Sequence, residues 1–302
     1  MSPFLGDSSG GRSQLPELIA AGDMVLAPGC YDPLGARLIE EAGFPAVYMT
    51  GFGTAAGRLG RPDVGLLTLS EMVDNARRIA QAVSVPVIAD ADTGYGNPLN
   101  VIRTVHEYEA AGVAAIHLED QAMPKKCGHM DDKELIEAGE MVAKVAAAVA
   151  ARERPDFLII ARTDARAVEG LDGALERARR YREAGADILF VEAPESTDEI
   201  KAVAERFADV PLLFNYTEGG KTPPVTHAFL RDLGFRLVIF PLSMLLAATA
   251  AMRSVLAEIK ASGTPIDLLP TMLGFDAFLD FIGVGEIREL EQRFAARHTP
   301  HD

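Results

Sequence analysis

Cysteine is almost missing from this chain: Cys30 and Cys127 are the only two, and they form no CxxC pair. This excludes a disulfide framework and points to a reducing compartment or to thiols with a non-structural role. Basic charge is scarce as well, with 29 Lys and Arg against 44 Asp and Glu and a net charge of −15. Without a basic patch, neither nucleic acid nor an anionic membrane is an expected partner. The most apolar stretch, Leu237 to Met252, is shorter than a typical membrane span and is broken by Pro241. It reads as a strand followed by a buried helix. Met1 to Arg12 lacks a basic segment followed by an apolar one, so no signal peptide is expected and the location implied is cytoplasmic.

What the chain does have is the composition of an ordinary globular protein, 48% hydrophobic and 24% charged. Its 302 residues suit one α/β barrel with a short appendage better than two full domains. Residues 1–13, with Gly6, Gly10, Gly11 and several serines, read as a flexible lead-in. After them one phrase recurs, a helix closed by glycine and then an apolar strand. Gly43 precedes Ala46-Val47-Tyr48-Met49, and Gly112 precedes Ala115-Ile116-His117-Leu118. Gly185 precedes Ile188-Leu189-Phe190-Val191, and Gly234 precedes Leu237-Val238-Ile239-Phe240. Glycine just past a helix supplies the left-handed cap that turns the chain into the next strand.

Val25-Leu26-Ala27, Val87-Ile88-Ala89, Phe157-Leu158-Ile159-Ile160 and Leu212-Leu213-Phe214 bring the candidate strands to eight, with helical patterns between them such as Glu71 to Ala82 and Leu171 to Ala184. Eight strands alternating with helices predict an α/β fold of the (β/α)₈ TIM-barrel type over 14–262. A C-terminal helical extension follows over 263–302, and its Phe275, Phe278, Phe281 and Phe294 need a cover on this barrel or on a neighbouring subunit.

Val87-Ile88-Ala89-Asp90-Ala91-Asp92-Thr93-Gly94-Tyr95-Gly96 reads as a buried parallel strand delivering two carboxylates to its C-terminal end. Asp90 and Asp92 share one strand face, where they repel unless a cation or water lies between them; this points to a hard divalent metal. Helix capping near Pro98 is the other reading open to them. Polar groups end five further strands: Tyr48 with Thr50, Glu119 with Asp120, Arg162 with Asp164, Glu192, and Asn215. A closed barrel gathers such strand ends into one mouth, which makes them a candidate site.

Lys125-Lys126-Cys127-Gly128-His129 follows Glu119. Two lysines beside a thiol predict a positive field that lowers its pKa for proton transfer or attack, and an inert loop cysteine is the alternative. Cys30, with apolar neighbours, reads as structural. His117 either lines the barrel or is a hydrogen-bonded core histidine; His106, His298 and His301 read as surface residues and His227 is uninformative. Gly51-Phe52-Gly53 only imitates a dinucleotide-binding turn, and its glycines are expected to let the backbone approach a substrate carboxylate.

Taken together, Tyr48-Met49-Thr50-Gly51, Asp90 to Gly96, His117-Leu118-Glu119-Asp120-Gln121, Lys125 to His129 and Ala161-Arg162-Thr163-Asp164-Ala165 resemble the isocitrate lyase and phosphoenolpyruvate mutase superfamily. The resemblance runs from about Cys30 to Lys260, and the Lys-Lys-Cys-Gly-His element is similar to its carbon–carbon lyase branch. It implies a homotetramer with a helix exchanged between subunits, and Mg²⁺, replaceable by Mn²⁺, at the site. It further implies that Asp90 is the direct metal ligand and that Asp92 and Glu119 act largely through metal-bound water. Arg162 then clamps the substrate carboxylate, Thr50 and Gly51 hold the keto-acid end, and Cys127 is the acid/base on a mobile loop, flanked by Gly128 and His129; Phe52 departs from the Ser-Gly-Gly common in methylisocitrate lyases and reshapes the pocket. Glu192 and Asn215 form the far wall and Asp63 lies near the site. The segments around Glu192 and Asn215 are more similar to members acting on alkylmalates or oxaloacetate than to isocitrate lyases.

The implied activity is cleavage of a 2-hydroxy dicarboxylate or tricarboxylate into an α-keto acid and a second carboxylate, with Tyr48 a candidate for the hydroxyl proton. Three other readings compete. One is oxaloacetate hydrolysis or decarboxylation, or phosphonomutase chemistry, on the same scaffold. Another is a metal-free hydrolase using Cys127 and His129, and the last is a non-catalytic keto-acid-binding module.

Overall fold

The glycines that close the recurrent phrase take up the left-handed backbone expected of them: Gly43, Gly112, Gly185 and Gly234 have φ of 83°, 96°, 105° and 86°. The structure, a computed structural model, describes residues 14–295. The lead-in over 1–13, His298 and His301 lie outside the described residues. A strand follows each of the four glycines. These four are β2 (Val47–Met49), β4 (Ala115–Glu119), β6 (Ile188–Val191) and β8 (Leu237–Phe240). The other four are β1 (Val25–Cys30), β3 (Val87–Asp90), β5 (Leu158–Thr163) and β7 (Leu212–Asn215). All pair in parallel in chain order, and β8 returns to β1 with Leu237 opposite Val25, closing the barrel.

Strand side chains alternate between two cores. Val25, Ala27, Tyr48, Ile88, Ile160, Phe190, Leu213 and Ile239 fill the interior, and Leu15 and Ile19 of α1 (Leu15–Ala20) join that cluster. Val47, Ala89, Ile116, Leu118, Ile159 and Leu189 belong to the outer core with the helices. Burying one such aliphatic side chain contributes about 1.5–3 kcal/mol. The register sets Asp90 against His117 and Glu119 against Arg162, so inward-facing polar residues follow the apolar layers directly.

The surrounding helices are α2 (Pro33–Glu41), α3 (Gly51–Leu59), α4 (Leu69–Ala82), α5 (Pro98–Ala111), α6 (Ala138–Ala151), α7 (Arg166–Glu183), α8 (Thr197–Arg206) and α9 (His227–Asp232). α4 opens on a full capping box between Thr68 and Glu71. α7 starts earlier than the Leu171 onset expected from periodicity, because it is two helical pieces joined across Gly170, whose φ of 80° breaks the turn.

The chain divides into two compact units at residue 246, inside α10 (Ser243–Ser262). The second unit also holds α11 (Phe275–Phe281) and α12 (Val284–Phe294), and no residue of α10, α11 or α12 is buried. No helix among the described residues is long and apolar enough to cross a membrane.

Candidate active site

At the end of β3 the chain turns sharply: Asp92 has a φ of 47°, and its backbone N–H donates to Asp90 Oδ1 at 2.9 Å. The capping alternative for these aspartates falls away, since α5 is capped by Asn97, whose side chain accepts from the N–H groups of Leu99 and Asn100. Asp90 Oδ2 accepts from the Gly51 N–H at 3.2 Å. A Cβ on Gly51 would lie 2.3 Å from that oxygen, so the approach of Asp90 demands glycine here. Thr50 caps α3 by accepting from the Gly53 N–H.

Inside the mouth, Tyr48 Oη and His117 Nε2 are 2.8 Å apart, and His117 Nε2 lies 3.5 Å from Asp90 Oδ1. His117 therefore both lines the interior and is hydrogen-bonded. Burial pushes its imidazole down to about 4 and the Tyr48 phenol well above its usual range. Burial also raises Asp92 to about 6, whereas for Asp90 it is outweighed by His117, Lys125 and Arg162.

Arg162 is the centre of charge. Its Nε and Nη2 donate to the two carboxylate oxygens of Asp164 at 2.9 and 3.1 Å. Nη1 lies 3.3 Å from Glu119, Nε lies 3.6 Å from Glu192, and the guanidinium sits 5.2 Å over the Phe190 ring. Burial disfavours the Glu192 carboxylate, but Arg162 and His129 outweigh it and hold the carboxyl well below the usual range. Asn215 Nδ2 donates to both Glu192 oxygens at 3.2 Å.

Between β4 and α6 the chain makes a long excursion, closed at its base by pairing of Gln121 with Leu135. Lys125 Nζ is 2.7 Å from both Asp63 and Asp92, and Lys126 Nζ donates to the Asp132 carbonyl at 2.5 Å. The two lysines are thus engaged by oxygens, not by the thiol. Burial instead raises Cys127 from 9.0 to about 11, which corrects the lowered pKa that the flanking charges predict. Gly128 passes so close to the floor that a Cβ would lie 2.5 Å from Glu192 Cγ and 2.6 Å from Arg162 Nη2. His129 Nδ1 accepts from the Lys221 N–H at 3.0 Å, which assigns the ring proton to Nε2, 2.9 Å from Glu192.

The loop leaves a cavity of about 30 Å³ bordered by Tyr48, Thr50, Phe52, Asp63, Cys127 and Arg162, with Asp90, Gly128, His129 and Asn215 also on its wall. Gly51, Asp92, Glu119 and Glu192 touch those residues. Thr217, Pro241 and Leu242 border the cavity too, and nothing in their sequence context marks them. Asp120 is not at the mouth. It follows Glu119 and faces outward, where it accepts from Thr163 and Tyr181 at 2.7 Å each. Cys30 is buried in the outer core. His106 is exposed, with its Nε2 3.0 Å from the Ala151 carbonyl oxygen.

The donor set fits a hard cation. Glu119 Oε1 is buried without a partner, and burial raises the Glu119 carboxyl well above its usual range, as for an anion short of positive charge. Among the described residues no three His, Cys, Asp or Glu side chains converge tightly enough by themselves to hold an ion.

A family described as phosphoenolpyruvate phosphomutase matches residues 15–260. The 2,3-dimethylmalate lyase of Eubacterium barkeri is 50% identical over 94% of this chain and 98% of its own length. A 2-methylisocitrate lyase of Aeropyrum pernix is 48% identical over 94% of each chain. Among solved structures, oxaloacetate acetylhydrolase with 3,3-difluorooxalacetate superposes with a TM-score of 0.88 at 38% identity, covering 94% of this chain and 97% of the other. Phosphonopyruvate hydrolase in complex with oxalate and Mg⁺⁺ superposes at 0.85 and 33%, covering 96% and 99%. With the barrel, the acidic mouth and the Cys127 loop all in the same chain, it belongs to the PEP mutase/isocitrate lyase superfamily.

Proposed function

We propose that this protein is an Mg²⁺-dependent carbon–carbon lyase. Its substrate is a 2-hydroxy dicarboxylate or tricarboxylate of the 2-alkylmalate, 2,3-dimethylmalate or 2-methylisocitrate type, cleaved to an α-keto acid such as pyruvate and a second carboxylate. The observation that carries the reading is the Cys127 thiol on the wall of the same small cavity that Arg162, Asp90 and Tyr48 border. The names of the relatives just described support it.

Arg162 binds a substrate carboxylate, its guanidinium held in orientation by Asp164, while Thr50, Gly51 and Phe52 shape the opposite side. Tyr48 is placed to take the substrate hydroxyl proton while its own phenolic proton passes to His117 Nε2, 2.8 Å away. Asp90, Asp92 and Glu119 would hold Mg²⁺, which would supply positive charge at the substrate hydroxyl. The electron pair of the breaking C–C bond passes into the second fragment as an enediolate, which Arg162 stabilises. Cys127 Sγ–H then gives its proton to the enediolate carbon, and the closed loop of Gly128 and His129 against Glu192 and Asn215 keeps water out. The hydroxyl proton taken up balances the thiol proton given out.

We further propose a homotetramer in which C-terminal helices are exchanged. In support, Leu26, Pro28, Leu38, Phe44, Phe240 and Met244 border an apolar groove of about 430 Å³ on the barrel, and Met252, Leu256 and Phe275 are exposed. The division into a barrel over 14–262 and a helical extension over 263–302, and a cytoplasmic location, belong to the same proposal. The free thiols are in keeping with that location.

The test supplies 2,3-dimethylmalate, 2-methylisocitrate and oxaloacetate in parallel, with and without EDTA, and follows pyruvate, oxalate and CO₂. Pyruvate from a hydroxy diacid, abolished by EDTA and restored by Mg²⁺, is the expected result. Oxalate or CO₂ from oxaloacetate alone would assign the hydrolase or decarboxylase reading instead. Turnover that survives chelation would assign the cysteine hydrolase.

A further inference from the structure

Lys133 is a third lysine of the excursion, and the mechanism above does not use it. Its side chain is 1% exposed and that of Asp164 is 0% exposed. A buried ammonium is costly unless its donors are satisfied, so the partners of this one define its role. Nζ donates to the carbonyl oxygen of Gly128, the residue directly after Cys127, and to Asp164 Oδ1 at 3.1 Å. Asp164 Oδ1 is also the oxygen that accepts from Arg162 Nη2. One carboxylate oxygen therefore accepts a hydrogen bond from the anion clamp and another from the loop that carries the thiol.

A second route runs from His129 through Glu192, which lies 2.9 Å from His129 Nε2 and 3.6 Å from Arg162 Nε, but it does not pass through the carboxylate that orients the clamp. Lys125 ties the loop to Asp63 and Asp92 on the far side, and Gln121 holds Lys126 from within the excursion through its backbone N–H and carbonyl. Asp164 in turn cannot drift toward Lys133 alone. Its backbone N–H donates to Asp120 Oδ1 at 2.9 Å, and Asp120 is bonded to Tyr181 of α7. Asp164 is thus held by its own barrel contacts, whereas Lys133 and Gly128 are both carried on the excursion, so any opening of the loop would part them from Asp164 together.

We propose that Lys133 is a positioning residue, a latch that holds the Cys127-Gly128-His129 turn shut by joining the Gly128 carbonyl to the carboxylate that orients Arg162. Closing the loop and fixing the clamp are then one event, and the thiol is presented only when the arginine is in place. The effect of the latch on turnover rests on the lyase reading above, whereas its effect on thiol access does not.

The experiment measures iodoacetamide labelling of Cys127 and Cys30 by peptide mass spectrometry at fixed pH, without ligand, in the wild type, Lys133→Met, Lys133→Arg and Asp164→Asn. Loss of a charge-assisted pair of bonds is expected to speed labelling of Cys127 by about tenfold or more in Lys133→Met and in Asp164→Asn. Lys133→Arg, whose guanidinium can span the same two oxygens, restores slow labelling. Cys30, 0% exposed in the outer core, is the internal control and stays unlabelled. If both cysteines speed up together, Lys133 is merely structural and the latch is refuted. Cys127 labelled at the wild-type rate in both Lys133→Met and Asp164→Asn refutes it equally. Asp164→Asn keeps the test open should Lys133→Met fail to fold. A latch without lyase turnover would discard the proposed reaction and keep this inference.

Discussion

Changing pH is the perturbation that best separates a thiol that donates protons from one that attacks. Burial lifts Cys127 from 9.0 to about 11, so at pH 8 about a thousandth of it is thiolate, against about a tenth for an ordinary cysteine. Alkylation consumes only the thiolate. Wild-type Cys127 should thus react about a hundredfold more slowly at pH 8 than a free thiol of pKa 9.0, before any shielding by the loop is counted. The sign is that of a neutral acid: raising the pKa extends the protonated form upward in pH. The rate of labelling should climb about tenfold for each pH unit through pH 10 without levelling. Activity should show no loss from thiol ionisation over the same range. In parallel, Cys127→Ser should cut turnover by about 10²–10⁴ while leaving Mg²⁺ binding, followed by calorimetry, unchanged. A plateau in labelling below pH 9 would mean a low-pKa nucleophile and refute the assignment of Cys127 as the acid.

Other outcomes follow from single contacts. Gly128→Ala puts a methyl group 2.5 Å from Glu192 Cγ, so the loop cannot seat. Turnover should fall about a hundredfold and Cys127 should label faster at an unchanged melting temperature; turnover within twofold of wild type would contradict the close approach. Arg162→Lys replaces a fork that serves Asp164, Glu119 and Glu192 with a point charge. The expected result is a loss of about 10² in kcat/KM and about 3 kcal/mol of stability in urea, and an unaltered KM would remove Arg162 from substrate binding. If the proposed tetramer forms through the C-terminal helices, Leu256→Asp combined with Phe275→Asp should shift it to smaller species in sedimentation, whereas an unchanged mass would place the subunit contact elsewhere.

How much could be read from the chain alone depends on the range of the interaction. The strands announced themselves because apolar runs after a glycine cap are local patterns, and Gly43, Gly112, Gly185 and Gly234 behave as local geometry requires. Asp120 carried a legible signal that a grouping of strand ends overrides: consecutive residues of a strand face opposite sides, so Asp120 cannot share the mouth with Glu119. Gly51 was legible as a close approach but not as one to Asp90, which is 39 residues away.

Periodicity and punctuation were enough to specify a closed barrel and the side of it that carries polar groups, because backbone sterics and burial act between near neighbours. The acidity of Cys127, the pairing of Lys125 with Asp63 and Asp92, and the joining of Lys133 to Asp164 were settled by folding. Electrostatics depends on distance through space and on exclusion of water. Two lysines adjacent in sequence to a thiol gave it nothing once buried carboxylates had claimed one of them and burial had set the price of ionising the sulfur.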